Sequence, residues 1–228
     1  MYFSVITPQS GYERDAAHER VRGAYGEHQW LWNFLPAPQG TDRDFLFRRS
    51  DAAAMPRYYV VSKRPPQAVG PAWNVQTREY APRLEAGDHL HFDLRANPVV
   101  TLSHEGKSKR HDVVMQEKKR LLQDRGLARW DDWRGEDKPS LYSIARLVCG
   151  KWLDDRAQRL GFQVRQESLS VDAYQQHRGK KDSLRFSTVD YSGELKVIDP
   201  LLFNAALCQG IGHAKAFGCG LLLVRRLG

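Results

Sequence analysis

The stretch QGIGHAKAFGCG at residues 209–220 holds four glycines and one lysine, and the apolar run LLLV follows it at residues 221–224. Glycine lets the backbone take positive φ and lets a ligand approach its N–H groups closely, so such a loop can form a donor surface for phosphate oxygens. We therefore expect a phosphate-binding loop that uses Gly210, Gly212 and Lys215. A tight helix-to-strand turn without a ligand is the alternative interpretation.

The order of elements around this loop excludes two common glycine motifs. Residues 199–208 are predicted to form a helix with a proline in its first turn, and the glycines follow that helix. A dinucleotide fingerprint instead places its glycines between a strand and the helix after it. A Walker loop needs Ser or Thr after its lysine to hold magnesium, and Ala216 occupies that position.

The charge of the chain indicates a polyanionic partner. Lys and Arg number 35 against 27 Asp and Glu, which gives a formal net charge of +8. Such a balance favours nucleic acid or an acidic membrane face. No apolar stretch approaches the ~20 residues of a membrane span, so we expect no membrane partner. The three cysteines form no C-x-x-C pair, which argues against a zinc cluster or a disulfide framework and predicts a cytoplasmic protein.

The first part of the chain has the element order of a ferredoxin-like βαββαβ unit. We predict a strand at residues 2–7, a helix at 14–25, two strands at 43–49 and 57–62, and a further strand at 75–80. No convincing helix precedes the last strand. The second helix of the unit is therefore expected to be degraded.

The element order recurs in the second part. We predict strands at residues 88–97, 162–174 and 184–198, helices at 140–160 and 199–208, and a last strand at 221–225. The sequence thus predicts an α+β fold of tandem ferredoxin-like, RRM-like domains, at residues 1–87 and 88–228, with a C-terminal glycine-rich loop. Residues 103–111 are predicted to form a loop. Residues 117–133 are polar and predicted to be turn-rich, and no role is assigned to residues 117–139.

Two histidine patterns suggest chemistry. If the first helix continues past Gly26, Tyr25, His28 and Trp32 share one face, and a histidine needs only a modest environmental shift to act as acid or base. Packed helix residues without chemistry are the alternative. His89 and His91 lie on one face of a predicted strand, as a metal-binding pair would. No acidic or cysteine ligand follows at useful spacing, so we expect no metal.

Two basic clusters are candidate nucleic-acid contacts. The first comprises Lys107, Lys109 and Arg110, and the second comprises Arg178, Lys180, Lys181 and Arg185. The second cluster lies at a predicted hairpin tip, which could enter a groove of a nucleic acid. A solvated loop explains it equally well.

Five motifs in order carry a resemblance to a known family. They are YGEHQWLW at residues 25–32, RDFLF at 43–47, LRANP at 94–98, Lys109 and Arg110 followed by Val113, and the glycine-rich loop. Together they resemble the RAMP superfamily of CRISPR proteins and, within it, the CasE family, the CRISPR-RNA processing endoribonuclease of the type I-E Cascade complex.

The resemblance implies cleavage of a CRISPR repeat RNA hairpin without a metal or other cofactor, by attack of a 2′-hydroxyl that leaves a 2′,3′-cyclic phosphate. It implies that His28 is catalytic, that Tyr25 works beside it, and that the product stays with other Cascade subunits. The basic residues are then expected to contact stem phosphates, because the major groove of A-form RNA is too narrow for ordinary readout.

The chain departs from the family pattern at one position. Some relatives carry a lysine five residues after the histidine, where this chain has Asn33. The cation that stabilises the transition state is therefore open, with Lys215, Lys107 and Lys109 as candidates. Whether His28 is base, acid or both is also open. A non-catalytic RNA-binding subunit of the same superfamily, and a metal-dependent hydrolase built on His89 and His91, are the alternative functions.

Overall fold

The computed structural model describes residues 1–19, 24–51, 55–104, 106–178 and 185–227. Lys180 and Lys181, which we predicted to bind RNA, lie outside the described residues. For Tyr25 and Arg178 only the position in the backbone is described. No helix within the described ranges is long and apolar enough to cross a membrane.

The chain divides into two compact units. The first contains Met1–Leu84 together with Asn204–Leu222, and the second contains Glu85–Phe203 together with Leu223–Gly228. The first crossing lies close to the expected boundary between residues 87 and 88. The glycine-rich loop, however, belongs to the first unit, because its glycines pack closely against a strand of that unit.

The first unit contains a four-stranded antiparallel sheet with two helices. Its elements are β1 (Tyr2–Pro8), α1 (Glu13–Glu19), α2 (Ala24–Trp32), β2 (Phe45–Ser50), β3 (Arg57–Ser62) and β4 (Trp73–Glu79). The strand order is β2-β3-β1-β4, and each neighbouring pair is antiparallel. All four predicted strands are confirmed, with ends shifted by one or two residues. Residues 63–72, between β3 and β4, form no helix, as expected.

Helix α2 is held on the core by an aromatic cluster. The Trp30 ring lies 4.8 Å from Phe34, 4.8 Å from Tyr58 and 4.6 Å from Trp73, measured between ring centroids. These rings are almost fully buried. Burying such rings contributes most of the packing energy of a small core. Helix α1 and the start of α2 lie within the predicted helix at 14–25, and α2 continues past Gly26 to include His28.

The second unit contains a five-stranded sheet, a separate hairpin and two helices of its own. Its elements are β5 (His89–Ala96), β6 (Val99–His104), β7 (Lys107–Asp112), α3 (Val113–Asp124), α4 (Leu141–Ala157), β8 (Phe162–Val164), β9 (Ser170–Arg178) and β10 (Arg185–Val197). Helix α5 (Pro200–Gln209) and strand β11 (Leu222–Arg226) follow. The sheet order is β11-β5-β10-β8, and β9 also pairs with β10. Strands β6 and β7 form the hairpin.

Two expectations about residues 99–133 are wrong. Residues 103–111, expected to form a loop, belong mostly to the β6–β7 hairpin. Much of the stretch expected to be turn-rich is helix α3, because Asp112 caps its first turn. The Asp112 Oδ1 accepts from the backbone N–H of Val114 at 2.8 Å and of Met115 at 2.9 Å. An N-cap of this kind typically stabilises a helix by about 1 kcal/mol.

Helix α4 confirms the helix predicted at residues 140–160. Ile144, Ala145, Cys149 and Trp152 are buried on one side of it, whereas Leu141 is 45% exposed. The helix passes into a 3-10 turn that ends at Gly161, where φ is +78°. Glycine tolerates this left-handed conformation at no steric cost.

Candidate active site

His28 projects from α2 into an aromatic setting that leaves one ring nitrogen without a partner. Its ring stacks on Phe45 with centroids 5.9 Å apart and meets the edge of Trp32 at 6.2 Å. Its Nε2 is buried and has no hydrogen-bond partner among the described residues. Burial, and after it the charge of Arg43, lowers the pKa of His28. The imidazole is therefore neutral near pH 7 and can accept a proton.

Arg43 precedes β2 and is half-buried, and its positive charge contributes to lowering the pKa of His28. Its Nε is buried and has no hydrogen-bond partner in the described part of the chain. Burial lowers the pKa of its guanidinium. We did not predict Arg43 as a site residue. The only available signal was its position at the start of the RDFLF motif, where a basic residue precedes a buried strand.

The acidic residue beside His28 in sequence is already paired. Glu27 is buried, and its Oε1 accepts from Arg49 Nη1 at 2.5 Å. The hydroxyl of Tyr58 donates to the same oxygen at 3.4 Å. Glu27 therefore anchors α2 to β2 and β3, and its charge is balanced by Arg49.

The glycine-rich loop brings Lys215 to the same unit. Lys215 begins a 3-10 turn at Lys215–Phe217, which follows Ala214 at φ +57°. Its Nζ donates to the backbone oxygen of Gln209 at 2.7 Å. Burial, and after it the charge of Arg43, lowers the pKa of Lys215. Arg43 lies two residues before Phe45, on which His28 stacks, and the turn that carries Lys215 packs against α2 and β2. The charge of Arg43 acts on both His28 and Lys215, and the three residues are here called the His28–Arg43–Lys215 cluster.

The glycines of the loop serve close packing. A Cβ added at Gly210 would lie 2.8 Å from Leu46 Cδ1 and 2.9 Å from the oxygen of Gly220. One added at Gly218 would lie 3.2 Å from Phe47 Cε2. The Gly210 N–H closes helix α5 by donating to Ala206 O at 2.8 Å, so it is not a free donor for phosphate. Gly210 and Gly212 both have positive φ, at +75° and +79°.

The predicted basic residues of the second unit lie on two hairpins. Lys107, Lys109 and Arg110 are exposed on β7. Side chains alternate along a strand, so Lys107 and Lys109 share one face and Arg110 lies on the other. Exposed Arg185 opens β10, opposite Arg178 of β9. None of these residues belongs to the unit that holds His28, whereas Lys215, Gly210 and Gly212 do.

The H-x-H pair has no further ligands in the described part of the chain. His89 is exposed and His91 is half-buried on β5. No group of three or more His, Cys, Asp or Glu among the described residues could hold a metal ion. Nothing in these ranges therefore supports a metal centre at His89 and His91.

The fold agrees with comparisons to known proteins. A family model described as CRISPR associated protein matches residues 1–226. The chain belongs to this family.

Among curated relatives, the chain is 27% identical over 226 residues to the CRISPR system Cascade subunit CasE of Escherichia coli, covering 97% of this chain and 98% of that one. It is 28% identical over 175 residues to the CRISPR-associated endoribonuclease Cse3 of Thermus thermophilus, covering 68% of each. The predicted resemblance to the CasE family is confirmed.

Solved structures share the fold. A structure of CRISPR endoribonuclease Cse3 bound to 19 nt RNA superposes with a TM-score of 0.67 at 21% identity and covers 98% of each chain. The CRISPR-associated protein Cas6e from Escherichia coli superposes with a TM-score of 0.60 at 22% identity and covers 100% of each. The mixed α/β architecture with antiparallel sheets is therefore common to all three proteins.

Proposed function

We propose that this chain is an endoribonuclease that cleaves the repeat hairpins of precursor CRISPR RNA and keeps its product in a Cascade effector complex. Two relatives named as a Cascade subunit and as an endoribonuclease support the proposal. The observation that carries it is the half-buried His28, whose partnerless Nε2 lies in a cluster with Arg43 and Lys215. A neutral base beside two cations suits attack on a phosphodiester.

The proposed reaction needs no metal or other cofactor. The Nε2 of His28 takes the proton of the 2′-hydroxyl upstream of the scissile phosphate, and the 2′-oxygen forms a bond to phosphorus. The bond from phosphorus to the 5′-oxygen breaks, that oxygen takes a proton from water to become a hydroxyl, and the protonated His28 returns its proton to the solvent. A base placed in this way contributes about 10²–10⁴-fold to the rate. Tyr25 lies one turn before His28 in α2 and is assigned to work beside it.

We propose that each unit is a ferredoxin-like domain. In the first unit the strands follow the order β4-β1-β3-β2, and in the second the order β11-β5-β10-β8. If only the four strands in each of these orders are numbered along the chain, leaving out β9 and the β6–β7 hairpin, both orders become four-one-three-two. This is the arrangement that a βαββαβ unit produces. The proposed N-terminal domain, at residues 1–87, then also takes in the glycine-rich loop of the predicted C-terminal domain.

The RNA stem is assigned to the basic residues of the second unit. Phosphate contacts position a nucleic acid, and such contacts suit the cations on β7 and at the β9–β10 hairpin. The proposed set is Lys107, Lys109, Arg110, Arg178, Lys180, Lys181 and Arg185. The partners are thus a repeat hairpin and other Cascade subunits, and the expected place of action is the cytoplasm, where the precursor RNA is transcribed.

The test is cleavage of a repeat hairpin in EDTA, beside a copy with a single deoxy sugar upstream of the cut. Cleavage of the first only, with a cyclic phosphate end, is the expected result. Binding without cleavage would favour a non-catalytic RNA-binding subunit. Cleavage that requires an added divalent metal would remove the proposed mechanism.

A further inference from the structure

Arg43 is a cation that the fold holds without a carboxylate. No ion pair joins it to any acid within the described ranges, although acids flank it in sequence. Its neighbour Asp44 is taken by Arg64, whose Nε and Nη2 donate to the two carboxylate oxygens at 2.7 and 3.0 Å. Its Nε is buried without a hydrogen-bond partner in the described part of the chain, so this nitrogen has lost hydration that nothing there replaces.

Nearby acids offer no alternative. Glu27, beside His28, is paired with Arg49. Asp42, on the other side of Arg43, is exposed and makes no ion pair with it in the described part of the chain. The buried and half-buried carboxylates near Arg43 thus pair with other arginines, and no carboxylate in the described ranges balances the charge of Arg43.

Lys215 adds a second cation to the same place. Its only described hydrogen bond is to the neutral backbone oxygen of Gln209, at 2.7 Å. The charge of Arg43 acts on it unfavourably, and the 3-10 turn that carries it packs against α2 and β2. Two partly buried like charges repel each other, and an anion between them removes that repulsion.

We propose that Arg43, with Lys215, binds the non-bridging oxygens of the scissile phosphate beside His28 and supplies a cation in place of the lysine that some relatives carry where this chain has Asn33. The inference rests on the proposed function. A guanidinium presents two parallel N–H donors that match two phosphate oxygens. Arg43 keeps its proton throughout. As the 2′-oxygen bonds to phosphorus, charge grows on those oxygens, and the contact with Arg43 strengthens.

The first experiment needs no cleavage. The ring signals of His28 are followed by NMR across pH, with and without sulfate, in the wild type, Arg43→Ala, Arg43→Lys and Arg57→Ala. Arg57 is an exposed arginine at the start of β3 and serves as the matched control. Sulfate should raise the pKa of His28 in the wild type and in Arg57→Ala, because a bound anion favours the imidazolium. The effect should vanish in Arg43→Ala.

If sulfate leaves His28 of the wild type unchanged, the anion site is refuted whatever the RNA experiments show. If Arg43→Ala and the wild type respond alike, sulfate is an adventitious ion only and the proposed role of Arg43 is refuted. Arg43→Lys keeps the charge without the paired donors, so it still tests the role of Arg43 if the alanine variant misfolds. It should respond to sulfate more weakly than the wild type.

The second experiment uses a hairpin with a phosphorothioate at the cut. Arg43→Ala should lower the single-turnover cleavage rate by about 10²–10³-fold, as removal of one transition-state donor does, with hairpin affinity nearly unchanged. Arg57→Ala should cleave at the wild-type rate. The wild type should prefer one sulfur diastereomer, and this preference should shrink in Arg43→Ala. An unchanged preference would refute the contact. If sulfate acts through Arg43 but the wild type cleaves nothing, the anion site stands and the nuclease proposal fails.

Discussion

Arg64 holds Asp44 through two parallel hydrogen bonds, Nε to Oδ2 at 2.7 Å and Nη2 to Oδ1 at 3.0 Å. The same guanidinium donates to the backbone oxygens of Leu35, at 3.2 Å, and Pro36. It therefore joins the residue before β2 to the segment that follows α2. Asp44 directly follows Arg43, and the segment of Leu35 and Pro36 continues from the helix that carries His28, so this contact ties together the two parts of the chain on which the proposed chemistry depends.

Replacing Arg64 by lysine should lower the free energy of unfolding by about 1–3 kcal/mol, because one ammonium cannot make the paired contact and leaves Asp44 poorly satisfied. Urea denaturation measures the change. The hydrogen bond from Arg64 is the main cause that lowers the pKa of Asp44. The stabilisation is thus present above the usual carboxyl range and lost as pH falls through the depressed pKa.

A matched control for this substitution is Arg120→Lys. Arg120 makes a similar paired contact to Glu117, at 2.9 and 2.7 Å, on the exposed face of α3. Exposed ion pairs of this kind contribute little to stability. Equal losses in the two variants would show that the contact of Arg64 with Asp44 has no special structural role.

The cleavage rate should depend on pH through His28. Burial, and then Arg43, lowers its pKa, so the rate should rise with pH, bend below the usual histidine value of about 6.5, and stay flat above it. His28→Ala should lose about 10²–10⁴-fold in rate and keep hairpin affinity. His18→Ala, an exposed histidine of α1, is the control. A rate that falls with rising pH would instead make the imidazolium, as general acid, the active form.

Gly210→Ala should destabilise the protein more than Gly40→Ala. Both glycines have positive φ, at +75° and +85°, so alanine is strained at either position by about 1–2 kcal/mol. A Cβ at Gly40 meets no described atom within 4 Å, whereas one at Gly210 lies 2.8 Å from Leu46 Cδ1. Overpacking of this kind costs about a further 1–3 kcal/mol. Similar urea midpoints for the two variants would mean that the loop accommodates the methyl group.

Lys107→Ala and Lys109→Ala should each reduce the salt dependence of hairpin binding by about one unit of slope, because each lysine is assigned one phosphate. The double variant should lose about two units. Lys151→Ala removes an equal charge from α4, where Lys151 pairs with Asp155 at 3.3 Å, and should leave the slope unchanged. A slope that responds equally to all three single variants would indicate nonspecific attraction by net charge.

Local patterns in the sequence predicted the strands of the first unit and β5, but not β6 and β7. Alternation of buried and exposed residues can be recognised from neighbouring residues alone. In β5 the order from His89 to Ala96 alternates from exposed or half-buried to buried at every step. Helix α3 was missed because its start depends on a single cap, Asp112, before the buried pair Val113 and Val114. The surrounding residues are polar and resemble a loop in composition.

Sequence patterns indicated the histidine and the loop lysine of the candidate site, but not Arg43. The position of Arg43 acquires meaning only when Asp44 is seen to be bound to Arg64, twenty residues later in the chain. Local patterns also did not predict which unit contains the loop. The loop belongs to the first unit through the close approach of Gly210 to Leu46, and no local pattern encodes a contact of such long sequence separation.

The first unit is assembled from two stretches of chain with residues 85–203 between them. Because synthesis runs from the N-terminus, the sheet that supports His28 leaves the ribosome well before Lys215 is made. Domains that are continuous in sequence fold during translation as they emerge, but this unit lacks its loop until the whole intervening unit has been synthesised. A nascent chain stalled after residue 203 should therefore show no cleavage. The proposed nuclease would then cleave no RNA near its own ribosome until late in translation.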